Sequence, residues 1–92
     1  MLAIKMDAQY QDVDGLHEQG KTYDILAISL SNVIEEAADS IANLMGDNGW
    51  NELNIEKYSQ IDNTENVPRS ISSNPSWKKE LEESGAIYIV YK

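Results

Sequence analysis

The side chains of this sequence that could do chemistry are almost all carboxylates. The chain has 16 Asp and Glu residues, one histidine and no cysteine. Paired carboxylates can act as general acid and base on a glycosidic bond, but they need a cleft between them, and 16 acids in 92 residues form close pairs by chance. A single histidine, His17, cannot form a two-histidine metal site, and without cysteine there is no thiolate nucleophile. We therefore predict a protein that is not an enzyme and binds no cofactor.

Two short segments are rich in oxygen atoms that could hold a metal ion. Residues 12–15 begin like a calcium-binding loop, but Leu16 stands where such a loop needs another oxygen ligand. Residues 62–65 are polar, and an ordinary surface loop accounts for them. We predict no metal site, and we expect His17 to be solvated.

The acids are concentrated in the first two thirds of the chain. Residues 1–66 contain 13 carboxylates and 3 lysines, whereas residues 67–92 carry a net charge of +1, and the whole chain carries −9. Proteins that bind nucleic acid or anionic lipid directly present basic patches, which this composition does not supply. The charge predicts a basic protein as the partner, with no direct nucleic-acid binding and no membrane contact.

The apolar residues predict an α+β fold with one domain spanning residues 1–92. Period-two alternation indicates strands, and spacing of three and four residues indicates helices. We expect a mainly antiparallel sheet of about four strands with two main helices on one face, and a ferredoxin-like or related split arrangement is the first hypothesis for strand order. The predicted strands span residues 2–8, 23–30, 52–61 and 86–91; the predicted helices span 12–19, 33–45 and 75–84, with an exposed loop at 62–73.

These elements would hold several acids close together on the surface. Glu35 and Asp39 are one helical turn apart, at roughly 5–6 Å. Glu52 and Glu56 would share one strand face, at roughly 6.6 Å per two residues. Because like charges at these distances cost stability, the pattern is a reason to infer selection for a partner-binding acidic face, and an acidic face that is only solvated is the alternative. The candidate residues of this face are Asp12, Asp14, Glu18, Glu35, Glu36, Asp39, Asp47, Glu52 and Glu56.

An acidic face can bind a basic, DNA-binding protein by imitating DNA, and the number of acids limits how closely this chain can do so. A compact domain of this length has a diameter of about 32 Å. Duplex DNA of that length holds about 19 phosphates. The chain's 16 carboxylates approach that number only if they gather on one side, since the net charge is −9.

In size, lack of cysteine, acid-rich first two thirds and α/β pattern, the chain resembles the small acidic anti-restriction proteins of T-even phages, the Arn-like DNA mimics. The resemblance covers the character of the whole chain and rests on no diagnostic motif. It implies an inhibitor of a host defence nuclease or other DNA-binding protein, acting in the host cytoplasm. It also implies a homodimer whose joint acidic face forms an elongated, duplex-like strip.

Two other functions fit the same sequence. A nuclease immunity or antitoxin-like protein would concentrate its affinity in a few acids and one aromatic anchor, for which Tyr58 and Trp50 are candidates. A small oligomeric ligand-binding protein would instead need a pocket lined by apolar and convergent polar groups.

Overall fold

The computed structural model describes residues 1–11, 17–62 and 66–91. Four strands form one sheet in the order β3-β1-β2-β4, and every neighbouring pair is antiparallel. The predicted α+β class and the four-stranded antiparallel sheet are confirmed. The strands are β1 (Leu2–Tyr10), β2 (Thr22–Ser29), β3 (Trp50–Gln60) and β4 (Ala86–Tyr91), and the helices are α1 (Ile34–Gly46), α2 (Arg69–Ser72) and α3 (Trp77–Ser84).

The strand order contains one split β-α-β unit. Strands β2 and β3 are both antiparallel to β1, which lies between them, and α1 connects them. The remaining connection, through α2 and α3, runs from β3 at one edge to β4 at the other. The elements therefore do not follow the β-α-β-β-α-β order of a ferredoxin-like fold, although the related split arrangement is present.

The main core lies between the sheet and α1. Strand β1 alternates strictly, so that every second side chain from Leu2 to Tyr10 is buried and its neighbours are more exposed. The buried side chains of α1 are Ala37, Ile41 and Met45, which recur at four-residue spacing as the sequence predicts. Burial of each large aliphatic side chain contributes about 1.5–3 kcal/mol, and this layer fixes the position of α1.

A second, smaller core lies on the opposite face of the sheet. Ile28 and Ile87 are each one residue out of phase with the α1-facing positions of their strands, and they pack against α2 and α3. The prediction that both main helices share one face is therefore wrong. Strands β2 and β4 are apolar on both faces, as a central or covered strand must be, so each face needs its own helical cover. The side chains that α2 and α3 contribute are Ile71, Trp77 and Leu81.

Several helix boundaries differ from the sequence predictions. Helix α1 begins after Val33, which makes no side-chain cap. Asn32, just before it, accepts a hydrogen bond of 2.6 Å from the Met1 amino group. Helix α3 begins at Trp77 rather than Pro75, because residues 74–76 form a turn in which the Ser76 N–H donates to the Asn74 side chain at 3.1 Å. Glycine ends α3, since Gly85 adopts a left-handed φ of 78°.

The segment predicted as an exposed loop is partly buried. Val67 and Ile71 are 6% and 2% exposed, and Ile71 lies in the one-turn helix α2. Residues 62–73 contain only three apolar residues, Val67, Pro68 and Ile71, which are too few to show a period. The short helix predicted at 12–19 lies mostly outside the described residues, and residues 17–20 form a bend and turn. Among the helices that the structure describes, none has the length and apolar character to cross a bilayer.

Candidate functional site

The outer side of α1 is acidic along its first half. Glu35, Glu36 and Asp39 are exposed, and at about 100° per residue they occupy an arc of about 100° opposite the buried stripe. Glu36 accepts a hydrogen bond of 2.9 Å from the Ser31 hydroxyl. Residues 22–56 include seven acids and no Lys or Arg. The described ion pairs, Lys5–Glu56 and Lys79–Glu83, do not involve α1. We call Glu35, Glu36, Asp39 and Asp47 the α1 acidic surface.

The helix dipole accounts for the presence of only two of the four acids in the α1 acidic surface. Acids in the first turn of a helix are stabilised by its positive end, which accounts for Glu35 and Glu36 without any partner. Asp39 lies three and four residues beyond them and is repelled by both. Asp47 is the C-cap residue of a helix without a basic residue in its last turn, where a negative charge is unfavourable. Asp39 and Asp47 therefore cost stability.

The end of the sheet beside Asp47 also carries Glu18. Gln11 donates its backbone N–H to the carbonyl of Gly49 at 2.8 Å, which ties the β1–β2 connection to the turn after α1. Glu18 is exposed, and its backbone N–H donates to the Tyr23 hydroxyl at 2.9 Å. Glu18 therefore lies at the same end of the sheet as the turn that follows α1. The other two candidates in this connection, Asp12 and Asp14, lie outside the described residues.

The acids of β3 lie elsewhere. Leu53 and Ile55 pack into the α1-side core, so the alternating residues between and beside them face the other side of the sheet. Glu56 is an extra residue at a register shift between β1 and β3, and it pairs with Lys5 at 3.8 Å. Glu52 is exposed near the second shift and has a positive φ of 51°. The predicted acidic residues therefore do not share one face, because the sheet separates β3's exposed acids from α1.

An aromatic cluster surrounds the single histidine. The ring centroid of His17 lies 4.9 Å from Tyr10, 5.3 Å from Tyr23 and 5.2 Å from Trp50. The expectation of a solvated histidine is wrong, because His17 is half-buried among these rings. Trp50 is 4% exposed and cannot anchor a partner. Burial raises the pKa of Tyr88, and a hydrogen bond from Trp50 opposes this effect.

The sheet face opposite α1 carries a groove that the sequence did not predict. Lys5 and Lys57 are directly paired across β1 and β3, and both line a groove of about 630 Å³. All four strands contribute to its lining. Strand register brings these residues together, and register cannot be read from residue spacing along a single strand.

In the described ranges 1–11, 17–62 and 66–91, no three His, Asp or Glu side chains converge as a metal site. The calcium-like segment 12–15 lies outside these ranges. The first half of α1 carries acids that have no cationic partner among the described residues. The opposite side of the sheet carries a groove lined by two lysines that face each other across β1 and β3. No protein family model, characterised protein or solved structure matches this chain.

Proposed function

We propose that the protein is a DNA-mimic inhibitor that binds the basic, DNA-binding surface of a host defence nuclease, or of another DNA-binding protein, through the α1 acidic surface. The observation that carries the proposal is the position of Asp39 and Asp47. Both are exposed and without a cationic partner among the described residues, at places where a helix disfavours them. A basic partner would convert this cost into binding free energy and faster association.

The charge spacing supports contact with a surface built for DNA. Helix α1 has 13 residues and is about 20 Å long. The same length of duplex carries about 12 phosphates, of which a partner on one side meets about half. The α1 acidic surface supplies four carboxylates, and Glu18 adds a fifth at the same end of the sheet as Asp47. A homodimer with aligned α1 helices would lengthen this surface, and we include that dimer in the proposal, with action in the host cytoplasm.

Inhibition of DNA cleavage tests the proposal. Purified restriction nucleases, including modified-cytosine-specific ones, are assayed for cleavage of duplex DNA with increasing inhibitor. We expect one or more to be inhibited, and added non-cleavable duplex DNA to weaken inhibitor binding. The triple variant Glu35→Gln, Glu36→Gln, Asp39→Asn is expected to inhibit about tenfold or more weakly, since each exposed ion pair contributes up to about 1 kcal/mol.

Helix α3 offers a matched control with the same change of net charge. Glu80, Glu82 and Glu83 are all exposed, and the variant Glu80→Gln, Glu82→Gln, Glu83→Gln is expected to inhibit like the unchanged protein. Equal loss in both triple variants would show a response to net charge alone and would contradict the proposal. Binding of the inhibitor to the nuclease in the absence of DNA that does not change between 50 and 500 mM NaCl would also contradict it.

One observation favours a second candidate, a nuclease immunity-type plug. Tyr58 is 52% exposed and lies two residues beyond Glu56 on the edge strand β3. Binding hot spots are enriched in such aromatic residues. If Tyr58→Ala abolishes inhibition while the α1 triple variant retains it, the plug replaces the mimic.

A further inference from the structure

The groove on the sheet face opposite α1 is lined by residues from every strand. They are Ala3, Lys5, Asp24, Leu26, Lys57, Tyr58, Ser59 and Tyr91. Helices α2 and α3 cover this face at Ile28 and Ile87; beyond that cover, Lys5, Asp24 and Lys57 are exposed. The groove volume of about 630 Å³ falls within the range of small-molecule sites, about 300–1,000 Å³.

The charge of the groove is opposite to that of the chain. Two lysines and one aspartate line it, whereas the whole chain carries −9. Lys5 and Lys57 stand directly opposite each other on neighbouring strands, an arrangement of like charges that destabilises a sheet. Lys5 pairs with Glu56 at 3.8 Å, and Lys57 has no carboxylate partner among the described residues.

The strand register places an apolar floor next to the two ammonium groups. Lys57 pairs with Lys5, Lys5 with Leu26, and Leu26 with Ile89, so these four residues form one row across the sheet. Neighbouring strands are about 4.8 Å apart, so the apolar half of the row begins about 5 Å from Lys5. Tyr91 adds an aromatic wall that is 43% exposed, and its hydroxyl lies 3.2 Å from the Ser70 hydroxyl, which helps to hold the ring.

We propose that this groove binds a small organic anion with a flat apolar body. The carboxylate or phosphate group of the ligand lies between the Nζ atoms of Lys5 and Lys57, and the body lies over Leu26 toward Tyr91. Asp24 pairs with Tyr91 across β2 and β4 and repels a second anionic group, so the site favours one charge at one end of the ligand. The site is on the far side of the sheet from α1, and it stands independently of nuclease inhibition.

A pair of isosteric compounds tests the proposal by NMR. ¹⁵N-labelled protein is titrated with naphthalene-2-carboxylate and, separately, with the neutral naphthalene-2-carboxamide. We expect the carboxylate to shift amide resonances of groove residues and to bind about fivefold or more tightly than the carboxamide. Inorganic phosphate alone is expected to bind more weakly than the carboxylate, because it lacks the apolar body.

Charge variants locate the site and test its chemistry. Lys5→Gln and Lys57→Gln are each expected to weaken the carboxylate about fivefold, and both should fold because these positions are exposed. Asp24→Asn is expected to tighten binding. Lys79→Gln removes an equal charge from a side chain that is 78% exposed on α3, and it is expected to change nothing.

Three results would overturn the proposal. The first is equal affinity for the carboxylate and the carboxamide, and the second is equal weakening by Lys57→Gln and Lys79→Gln. The third is a shift of the groove resonances with protein concentration alone. That last result would assign the groove to contact between copies of the chain instead of a small ligand.

Discussion

The double substitution Asp39→Asn, Asp47→Asn should stabilise the fold. Asparagine keeps the size of the side chain and has a helix propensity close to that of aspartate. The substitution removes one charge that Glu35 and Glu36 repel. It removes a second from the C-terminal end of α1, whose last turn has no basic residue. If these acids are retained for a partner, the isolated protein should be more stable without their charges.

The magnitude follows from the positions of the two residues. Each like-charge pair at three- or four-residue spacing costs about 0.2–0.5 kcal/mol, and Asp39 makes two such pairs. An acid at a helix C-terminus costs about 0.3–1 kcal/mol. The free energy of unfolding should therefore rise by about 0.7–2 kcal/mol at low salt. For a domain of this size, each kcal/mol raises Tm by about 4–8 °C, so we expect a rise of about 3–16 °C.

Thermal unfolding followed by circular dichroism measures this effect. It is recorded at 20 mM and at 500 mM NaCl, because salt screens exposed charges and should reduce the gain by half or more. The control is Glu80→Gln, which removes an acid from the first turn of α3, where a negative charge is favourable. It should lower Tm slightly or leave it unchanged. A double variant that melts at or below the Tm of the unchanged protein would refute the reasoning.

Four further predictions concern the fold. Gly85→Ala should lower the free energy of unfolding, measured in urea, by about 1 kcal/mol because φ is 78°. No steric clash adds to this cost, since no atom lies within 4 Å of an added Cβ. Gly46→Ala is equally free of contacts and should stabilise α1 by about 0.5–1 kcal/mol. His17→Ala should lower stability by about 1 kcal/mol or more through lost ring contacts, measured in the same way. The raised pKa of Tyr88 means that the phenol keeps its proton to a higher pH in the folded state than in the unfolded state. The free energy of unfolding should therefore fall as pH rises above about 10. Tyr88→Phe should reduce that fall.

Local periodicity predicts most helices and strands. It does not predict which distant segment packs over a given face of the sheet. Strand β4 begins and ends at the predicted residues, since its apolar run is bounded by Gly85. Helix α1 lies within one residue of its predicted bounds, and its buried residues keep the four-residue spacing that indicates a helix. The cover of the second face was missed because Val67 and Ile71 lie in a polar segment without a period, and only the tertiary structure shows them packing under Ile28 and Ile87.

The candidate site was predictable only within single elements. The exposure of Glu35, Glu36 and Asp39 follows from the helical period. The separation of Glu56 from them depends on which face of the sheet α1 covers, which no local pattern states. The Lys5–Lys57 pair depends on a register that includes an extra residue in β3, and such a shift leaves no signal in the alternation of Leu53 and Ile55.

The most direct test of the central claim is displacement of DNA by the α1 acidic surface. A fluorescently labelled duplex is bound to a nuclease that the protein inhibits, and its anisotropy is followed as inhibitor is added. We expect full displacement. We also expect about tenfold or greater loss of potency in the α1 triple variant, with no loss in the α3 triple variant. A ternary complex in which the duplex stays bound, or equal potency of the two triple variants, would contradict the central claim.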